Sequence, residues 1–186
     1  KPDDYEVIKD LGNTYQVVGD VNTAKNYYQK ALAINGNYAP ALTNLGTIEI
    51  TTGNKQNALS LLIKATESAP QSAPIWGNLA NGYFQLGKIK EAESSARKAI
   101  EINPNLFNSH FLLGTILFAQ KRLQEAEQSL RKTIELNSDF LQAHLNLGAV
   151  LQELKHLQEA ESSTRKAIEL NPNLFNSHYL LGIILF

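Results

Sequence analysis

The chain has 186 residues, of which 43% are hydrophobic and 19% charged, so it can bury an apolar core and is not a disordered polyelectrolyte. Seventeen Lys and Arg against eighteen Asp and Glu leave a formal net charge of −1, which excludes general binding to nucleic acid. Cysteine is absent, which excludes disulfides, zinc thiolates and a cysteine nucleophile. No apolar run approaches the ~20 residues that cross a bilayer, so we expect no membrane partner.

An internal repeat of 34 residues organises the whole sequence. Residues 91–118 and 159–186, two repeat lengths apart, differ at only four of 28 positions. A frame of 34 gives five full repeats and a half repeat without insertions: 5–38, 39–72, 73–106, 107–140, 141–174 and 175–186. Such regularity predicts a single array of stacked supersecondary units.

Each repeat has the pattern of two helices joined by a turn. Counted from the first residue of a repeat, position eight is always small: Gly12, Gly46, Ala80, Gly114, Gly148 and Gly182. A turn follows, with glycine in the first three repeats: Gly19, Gly53 and Gly87. The second helix carries an alanine for close packing: Ala24, Ala58, Ala92, Ala126 and Ala160. Three second helices end near a proline, which cannot continue a helix: Pro70, Pro104 and Pro172.

These positions resemble the tetratricopeptide repeat (TPR) family, whose pattern is W-x2-L-G-x2-Y, then A-x3-F, A and a late P. Repeat three matches it through Trp76, Leu79, Tyr83, Ala92, Ala99 and Pro104. The resemblance covers residues 5–186. It implies an all-α fold, a right-handed α-solenoid superhelix of antiparallel helix pairs. The first helices would line the concave surface, and the second helices would form the convex one.

Several residues depart from the family pattern. His110, His144 and His178 replace the aromatic residue at position four. Position eleven, which is usually Tyr, is Glu49 in repeat two, and later repeats have a leucine there: Leu117, Leu151 and Leu185. Lys121 and Lys155 stand where the earlier repeats have the turn glycine. A lysine with positive φ costs about 1 kcal/mol, so these two turns are expected to be strained.

The three repeating histidines suggest a metal site, but their spacing argues against one. Ligands must lie within ~2.1 Å of one ion, whereas residues one repeat apart are separated by about 10 Å. Each imidazole is therefore expected to fill the place that Trp76 takes in repeat three. His156 is expected to be a solvated turn residue. No metal or other cofactor is predicted.

The glutamates also recur with the repeat and do not form an acid–base pair. Glu93–Arg97, Glu127–Arg131 and Glu161–Arg165 are spaced for ion pairs on one helix face, each contributing ~0.3–0.5 kcal/mol. No Ser-His-Asp arrangement or Gly-rich phosphate loop stands out. The sequence therefore predicts a protein that is not an enzyme in these residues.

The first-helix surface is where the family holds its ligands. Position six carries Asn44, Asn78 and Asn146, which resemble the asparagine ladder of the repeat superhelix in O-GlcNAc transferase. An amide has both donors and acceptors, so it can hold a peptide backbone without reading its side chains. Asparagine is also common at this position in the family, so a purely structural role remains an alternative.

The predicted groove changes along its length. Its polar residues are Lys9, Asn13, Asn44, Thr43, Thr47, Asn78, Asn81 and Asn146. Its apolar residues are Phe84, Phe111, Leu112, Phe118 and Leu145, which favour an extended peptide or partner helix with an apolar anchor. Alternatively, some of these aromatic rings pack between helices. A clamp for acidic peptide tails is disfavoured, because Pro74 and Asn78 stand where it needs two cations.

The half repeat 175–186 is a first helix without its partner. We expect Leu180, Ile184 and Phe186, with Leu181, Ile183 and Leu185, to be partly bare and to support homo-oligomer formation. Two alternatives to a non-catalytic interaction scaffold stay open: a substrate-recruiting part of a larger enzyme such as a glycosyltransferase, and a self-assembly module. The near-identical copies resemble bacterial arrays, which favours a bacterial cytoplasm. Methionine is absent, so the chain is expected to be part of a longer protein.

Overall fold

A computed structural model describes residues 4–186, and in that range every regular element is an α-helix. The eleven helices are α1 (Tyr5–Val17), α2 (Val21–Ile34), α3 (Ala39–Thr51), α4 (Lys55–Ser68), α5 (Ala73–Gln85), α6 (Ile89–Ile102), α7 (Phe107–Ala119), α8 (Leu123–Leu136), α9 (Leu141–Glu153), α10 (Leu157–Leu170) and α11 (Phe175–Leu185). The predicted all-α fold of helix pairs is confirmed. Each odd-numbered helix begins at the first residue of the 34-residue frame.

Side chains and prolines at the helix starts explain several of these boundaries. The Asp4 carboxylate accepts hydrogen bonds from the backbone N–H groups of Glu6 and Val7 at 3.1 and 3.4 Å. Asp20 accepts one from the Thr23 N–H at 3.1 Å, which caps α2. Helices α3 and α5 have Pro40 and Pro74 in their first turn, where the missing N–H has no intrahelical partner to lose.

The turn inside each pair requires a left-handed residue. Gly87 has φ +72°, and the turn glycines of the first two repeats are similar. Lys121 and Lys155 adopt φ of +61° and +66° at the equivalent places. The expectation of lysines at positive φ is confirmed, and both are strained because a Cβ disfavours this region.

The chain forms two compact units, of which the first ends at Ile102 and the second runs from Asn103 to Phe186. In unit 1, the second helix of each pair also packs against the first helix of the next pair, so α2 contacts α3 and α4 contacts α5. One core cluster joins Ala24 and Tyr28 of α2 to Leu45 and Ile48 of α3. The core of unit 1 therefore runs between neighbouring repeats.

Unit 2 repeats this packing with α7 to α11. Leu130, Leu117 and Val150 are among its fully buried side chains. Helix α11 packs on α10 and α9, where Leu180 lies close to Gly148. Ile184 of α11 is 7% exposed, so the expectation that Ile184 lies partly bare is wrong.

Replacing the strained turn lysines by glycine should stabilise the protein. Within residues 4–186 no ion pair holds Lys155, so Lys155→Gly removes about 1 kcal/mol of strain and should raise the Tm by about 2–4 °C. Lys121→Gly should give a smaller rise, because the Lys121 amine also contacts the Glu153 carboxylate at 2.9 Å. Thermal unfolding followed by circular dichroism measures both.

Gly87→Lys is the reverse control. A Cβ at Gly87 meets nothing within 4 Å, so the lysine adds only backbone strain and should lower the Tm. An unchanged or lowered Tm for Lys155→Gly contradicts the prediction.

Candidate functional site

The predicted groove residues lie on the odd-numbered helices, and all of them except Thr43 are half-buried. Unit 1 carries the polar part on α1, α3 and α5: Lys9, Asn13, Asn44, Thr47, Asn78 and Asn81, together with Phe84. Unit 2 carries Phe111, Leu112, Phe118 and Asn146 on α7 and α9. Thr43 is 8% exposed, and its hydroxyl donates to the Ala39 carbonyl at 2.8 Å. The prediction that Thr43 belongs to the groove is therefore wrong, because its side chain is buried and its hydroxyl bonds to a carbonyl of its own helix.

A hydrogen-bond network connects the polar residues at the start of unit 1. The Oδ1 atom of Asn13 accepts from the Asn44 amide at 2.7 Å. The Tyr28 hydroxyl has one hydrogen to share between Asn13 Oδ1 at 2.9 Å and Gln16 Oε1 at 2.6 Å. The Asn13 amide donates in turn to Asp10 at 3.3 Å. Tyr28 is fully buried, and this burial raises the pKa of its hydroxyl. The network therefore fixes Asn13 and one N–H of Asn44 before any ligand arrives.

Lys9 is held by the same network. Its amine donates to Asp10 Oδ1 at 2.5 Å, and this hydrogen bond raises the pKa of Lys9. The Lys9 side chain is 17% exposed and the Asp10 side chain 65%, and the carboxylate beside the amine offsets much of its positive charge. The Lys9 amine is consequently expected to attract an acidic ligand only weakly.

The same tie between neighbouring first helices occurs in both units. In unit 1 it joins position six of repeat two to position nine of repeat one, as Asn44 to Asn13. In unit 2 the Asn146 amide donates to the Thr115 hydroxyl at 3.2 Å, again from position six to position nine. Asn44 and Asn146 therefore have a structural role, which was the alternative left open by the sequence.

Asn78 and Asn81 differ from these asparagines. Both are half-buried on α5, and no side-chain hydrogen bond of either is present within residues 4–186. Each amide keeps two donor hydrogens and an acceptor oxygen. Helix α3, which carries Asn44, contacts α5 directly. The amide groups of unit 1 that remain without a partner in the described residues, those of Asn78 and Asn81 and the second N–H of Asn44, thus lie on the adjacent helices α5 and α3.

The aromatic groove residues are partly used for packing. Phe111 makes an edge-to-face contact with Phe140, with ring centroids 4.9 Å apart, and Phe107 also touches Phe140. The Lys121 amine lies 5.5 Å from the centroid of the Phe118 ring. Phe111 therefore packs against a neighbouring ring, which is the alternative that the sequence left open for these aromatic residues.

The histidines at position four are structural, as predicted. Nε2 of His110, His144 and His178 lies 2.7–2.8 Å from the carbonyl oxygen six residues earlier. The Trp76 Nε1–H makes the equivalent bond to Pro70 at 2.8 Å. Because a carbonyl only accepts, each imidazole carries its proton on Nε2. His156 is exposed at the start of α10.

The recurring glutamates form the predicted ion pairs on the second helices. Glu93–Arg97, Glu127–Arg131 and Glu161–Arg165 each have an N–O distance of 2.8 Å. In residues 4–186 no group of three His, Asp or Glu side chains is arranged to hold a metal ion. None of the helices described there is long and apolar enough to span a bilayer.

The end of unit 2 exposes a large apolar face. Phe175 and Tyr179 are 76% and 62% exposed, and Phe186 is fully exposed. Leu185 is 54% exposed, whereas Leu117, its equivalent on α7, is 1% exposed. Helix α8 packs against α7, and no such helix follows α11 within the described residues. The equivalents of Phe175 and Tyr179 on α7, which are Phe107 and Phe111, pack instead on Phe140 at the start of α9.

Sequence reasoning missed one buried ion pair in unit 1. Glu49 is 1% exposed, and its carboxylate lies 2.5 Å from the Lys25 amine. Asn54 donates to the other carboxylate oxygen at 2.7 Å. Burial by itself raises the pKa of Glu49, but the hydrogen bonds from Lys25 and Asn54 outweigh it and the net pKa is lowered. The sequence did contain a signal for this ion pair, because Glu49 is a charged residue at position eleven, which is Tyr or Leu in the other repeats.

Helix pairs of 34 residues with a small residue at position eight define a TPR protein. The chain belongs to the family described as "Cilia and flagella-associated protein 70 C-terminal domain", whose sequence model matches residues 4–185. None of the curated proteins matches it. The resemblance to O-GlcNAc transferase and the bacterial, cytoplasmic setting stay predictions.

Solved structures share the fold. YrrB, described as a TPR protein with an unusual peptide-binding site, is 21% identical over 96% of this chain and 92% of its own, with a TM-score of 0.72. PilF of Pseudomonas aeruginosa is 20% identical over 95% of this chain and 80% of its own, with a TM-score of 0.87. The first TPR of Spaghetti, bound to an HSP90 peptide, is 27% identical over 62% of this chain and 91% of its own, with a TM-score of 0.61. At such identities the first two show the fold alone.

The Glu49–Lys25 pair should make stability depend on pH. A lowered folded pKa contributes stability above the unfolded value of about 4.3, and this is lost as the pH falls through the folded pKa. Wild type should therefore lose more stability between about pH 5 and pH 3 than Glu49→Leu, which restores the residue of repeats four and five. Urea unfolding at several pH values measures the difference.

Lys25→Met tests the same ion pair by removing its cation. It leaves the Glu49 carboxylate buried without its cation and should cost about 3 kcal/mol at neutral pH. The double variant Lys25→Met/Glu49→Leu should recover most of that loss. Equal pH profiles for wild type and Glu49→Leu contradict the assignment.

Proposed function

We propose that the chain is a non-catalytic protein-interaction scaffold and that the first-helix surface of unit 1 binds an extended segment of a partner protein. The observation that carries this proposal is the pair of half-buried amides of Asn78 and Asn81, which have no side-chain hydrogen bond within residues 4–186. Together with the second N–H of Asn44 they offer hydrogen-bond donors and acceptors that a peptide backbone can use.

Two comparisons support the same class of function. YrrB is described as having a peptide-binding site, and the Spaghetti repeat is bound to a peptide. In this chain Lys9 is paired with Asp10, and Pro74 lies on α5 where the acidic-tail clamp needs a cation. The proposed ligand is therefore an uncharged or mixed-charge segment, bound through its backbone.

The apolar residues of unit 2 are proposed to receive a hydrophobic side chain of a partner. Leu112 and Phe118 are half-buried on α7, so part of each side chain faces solvent. Phe111 contributes less, because its ring packs on Phe140. No catalytic step is assigned to these residues. Recruitment of substrate to an enzyme would need a catalytic domain elsewhere in the same polypeptide, which the full reading frame would reveal.

Removal of the two amides that make no side-chain hydrogen bond should weaken peptide binding without unfolding the protein. The Asn78→Ala/Asn81→Ala variant removes at least two hydrogen bonds of about 1 kcal/mol each, so affinity should fall about tenfold or more. Partners retained from lysate of the source cells are identified first, and affinity is then measured with a peptide of the retained partner.

Asn22→Ala/Asn26→Ala is the matched control, because both asparagines are exposed on the second helix α2. It should bind as wild type does. If a partner segment binds the Asn78→Ala/Asn81→Ala variant as tightly as wild type, the binding site does not lie on the first helices of unit 1.

A second candidate function is self-assembly through α11. The favouring observation is the apolar face formed by Phe175, Tyr179, Leu185 and Phe186. On α7 the equivalents of Phe175 and Tyr179 pack on Phe140, and the equivalent of Leu185 is 1% exposed. Contiguous exposed apolar surface of this kind usually marks an interface. Ile184 is excluded from it because it is already buried, and Leu180 is half-buried.

Light scattering at ~100 µM, well above typical micromolar contacts, should show a mass larger than the monomer. Tyr179→Glu should shift the mass to the monomer, since the added charge would have to be desolvated in the interface. Gln158→Glu, on the exposed surface of α10, should leave the mass unchanged. A wild-type monomer at that concentration rules out this function.

A further inference from the structure

Asparagine is followed by glycine at two places in the chain, Asn35–Gly36 and Asn81–Gly82. This dipeptide is chemically labile, because the backbone nitrogen of a glycine can attack the preceding side-chain amide without hindrance from a Cβ. Asn35 directly follows α2 and Gly36 belongs to the turn that leads to α3, whereas Asn81 and Gly82 lie in the interior of α5. The reactivity of the two dipeptides is therefore set by their different places in the fold.

The turn at Asn35–Gly36 is open to this attack. Gly36 is exposed, and its backbone N–H makes no hydrogen bond within residues 4–186. The Asn35 side-chain oxygen accepts from the Asn37 N–H at 3.2 Å, which polarises the carbonyl that the nitrogen must attack. Rotation about the ψ bond of Asn35 brings the nitrogen to the amide carbon and strains this bond and the 3.1 Å bond from the Tyr38 N–H to the Asn35 carbonyl. Both bonds lie in one short turn, so they can open without the unfolding of a helix.

The Asn81–Gly82 peptide is held by its helix. Gly82 is buried in α5, and a Cβ at this position would lie 3.1 Å from Leu62 Cδ1, so the backbone is packed closely against α4. As an interior helical residue, Gly82 donates its N–H to the carbonyl four residues earlier. Bringing this nitrogen to the Asn81 amide would break the helix and displace the backbone from Leu62. The same dipeptide is therefore protected at Asn81, which belongs to the proposed peptide-binding surface.

Later repeats keep the turn of Asn35 but not the glycine. Asn103 and Asn171 occupy the equivalent position, and each accepts a hydrogen bond from the N–H two residues later, at 3.0 and 3.1 Å. A proline follows each of them, Pro104 and Pro172, and its nitrogen has no hydrogen to lose. The chain thus contains the same turn in a reactive and an inert form.

We propose that Asn35 is a site of spontaneous deamidation, at which the folded protein acquires aspartate and isoaspartate. The Gly36 nitrogen loses its proton to a base of the solvent and bonds to the side-chain amide carbon of Asn35. The bond from this carbon to the side-chain nitrogen breaks, and that nitrogen takes up a proton and leaves as ammonia. Water then opens the resulting succinimide. Cleavage at the side-chain carbon gives aspartate and cleavage at the backbone carbon gives isoaspartate, so one water enters and one ammonia leaves in each case.

Either product places a negative charge at the joint between repeats one and two. Isoaspartate also inserts the Cβ of residue 35 into the main chain, which lengthens the turn between α2 and α3. The backbone carbonyl that accepts from the Tyr38 N–H becomes a side-chain carboxylate. Asn44 of α3 is bonded to Asn13 of α1 across this joint, so a longer turn disturbs that contact as well. Conversion should therefore lower the Tm of the protein.

The test ages the folded chain in mildly alkaline buffer and follows both dipeptides by mass spectrometry of tryptic digests. Cleavage after Lys30 and Lys64 places Asn35 and Asn81 in different peptides. Deamidation should accumulate at Asn35 several-fold faster than at Asn81, with isoaspartate among the products. In chain unfolded by urea the two sites should react at similar rates, because the protection of Asn81 is lost. Equal rates in the folded chain, or the same preference for Asn35 in urea, overturns the proposal.

Gly36→Pro is the matched variant, because it recreates the Asn–Pro turn of repeats three and five. Gly36 is not among the glycines with positive φ, and Asn35 (φ −130°, ψ 92°) has the extended backbone of Asn171 (φ −147°, ψ 95°), which precedes a proline. The fold should therefore be kept, and deamidation at Asn35 should be abolished while that at Asn81 is unchanged. Should this variant fold poorly, Gly36→Ser recreates the Asn–Ser turn of repeat four and should slow the reaction several-fold. Undiminished deamidation at Asn35 in either variant overturns the proposal.

Discussion

The close approach of the two helices in each pair is the constraint on which the other contacts depend. A Cβ added at Gly12 would lie 2.6 Å from the Tyr28 ring, and one added at Gly114 would lie 2.8 Å from Leu130 Cγ. No real side chain tolerates such distances, so position eight must be small for the pair to close. The contact sets how far apart the two helices stand and hence which residues of each helix face solvent.

Because this spacing recurs, residues at equivalent positions make equivalent bonds. Asn44 reaches Asn13 as Asn146 reaches Thr115, although the accepting groups are an amide and a hydroxyl. Trp76 and the position-four histidines likewise use different rings to reach the same carbonyl six residues back. The geometry is thus shared while the chemistry varies. This lets a repeat change one side chain and keep the anchoring bond.

The sequence predicted features that depend on local periodicity and backbone geometry. The helix class, the strained lysines at the turns and the structural histidines belong to this group. It did not predict the buried Thr43, the buried Ile184 or the Lys25 partner of Glu49. Each of these depends on which facing helix reaches a side chain, and a 34-residue period does not contain that information. The groove assignments stay predictions for the same reason, since the bonds of Asn44 arise between repeats.

Position eleven illustrates how one scaffold accepts side chains of different chemistry at equivalent places. Tyr83 packs with Trp76 against one core cluster, Glu49 brings a buried carboxylate with its own cation, and Leu151 is an apolar side chain at 1% exposure. The fold tolerates all three because the close contact at position eight does not involve this residue. The amides at positions six and nine belong to a different stripe of the same helix. The two stripes share no residue, so each first helix can vary its packed position eleven and its half-buried amides separately.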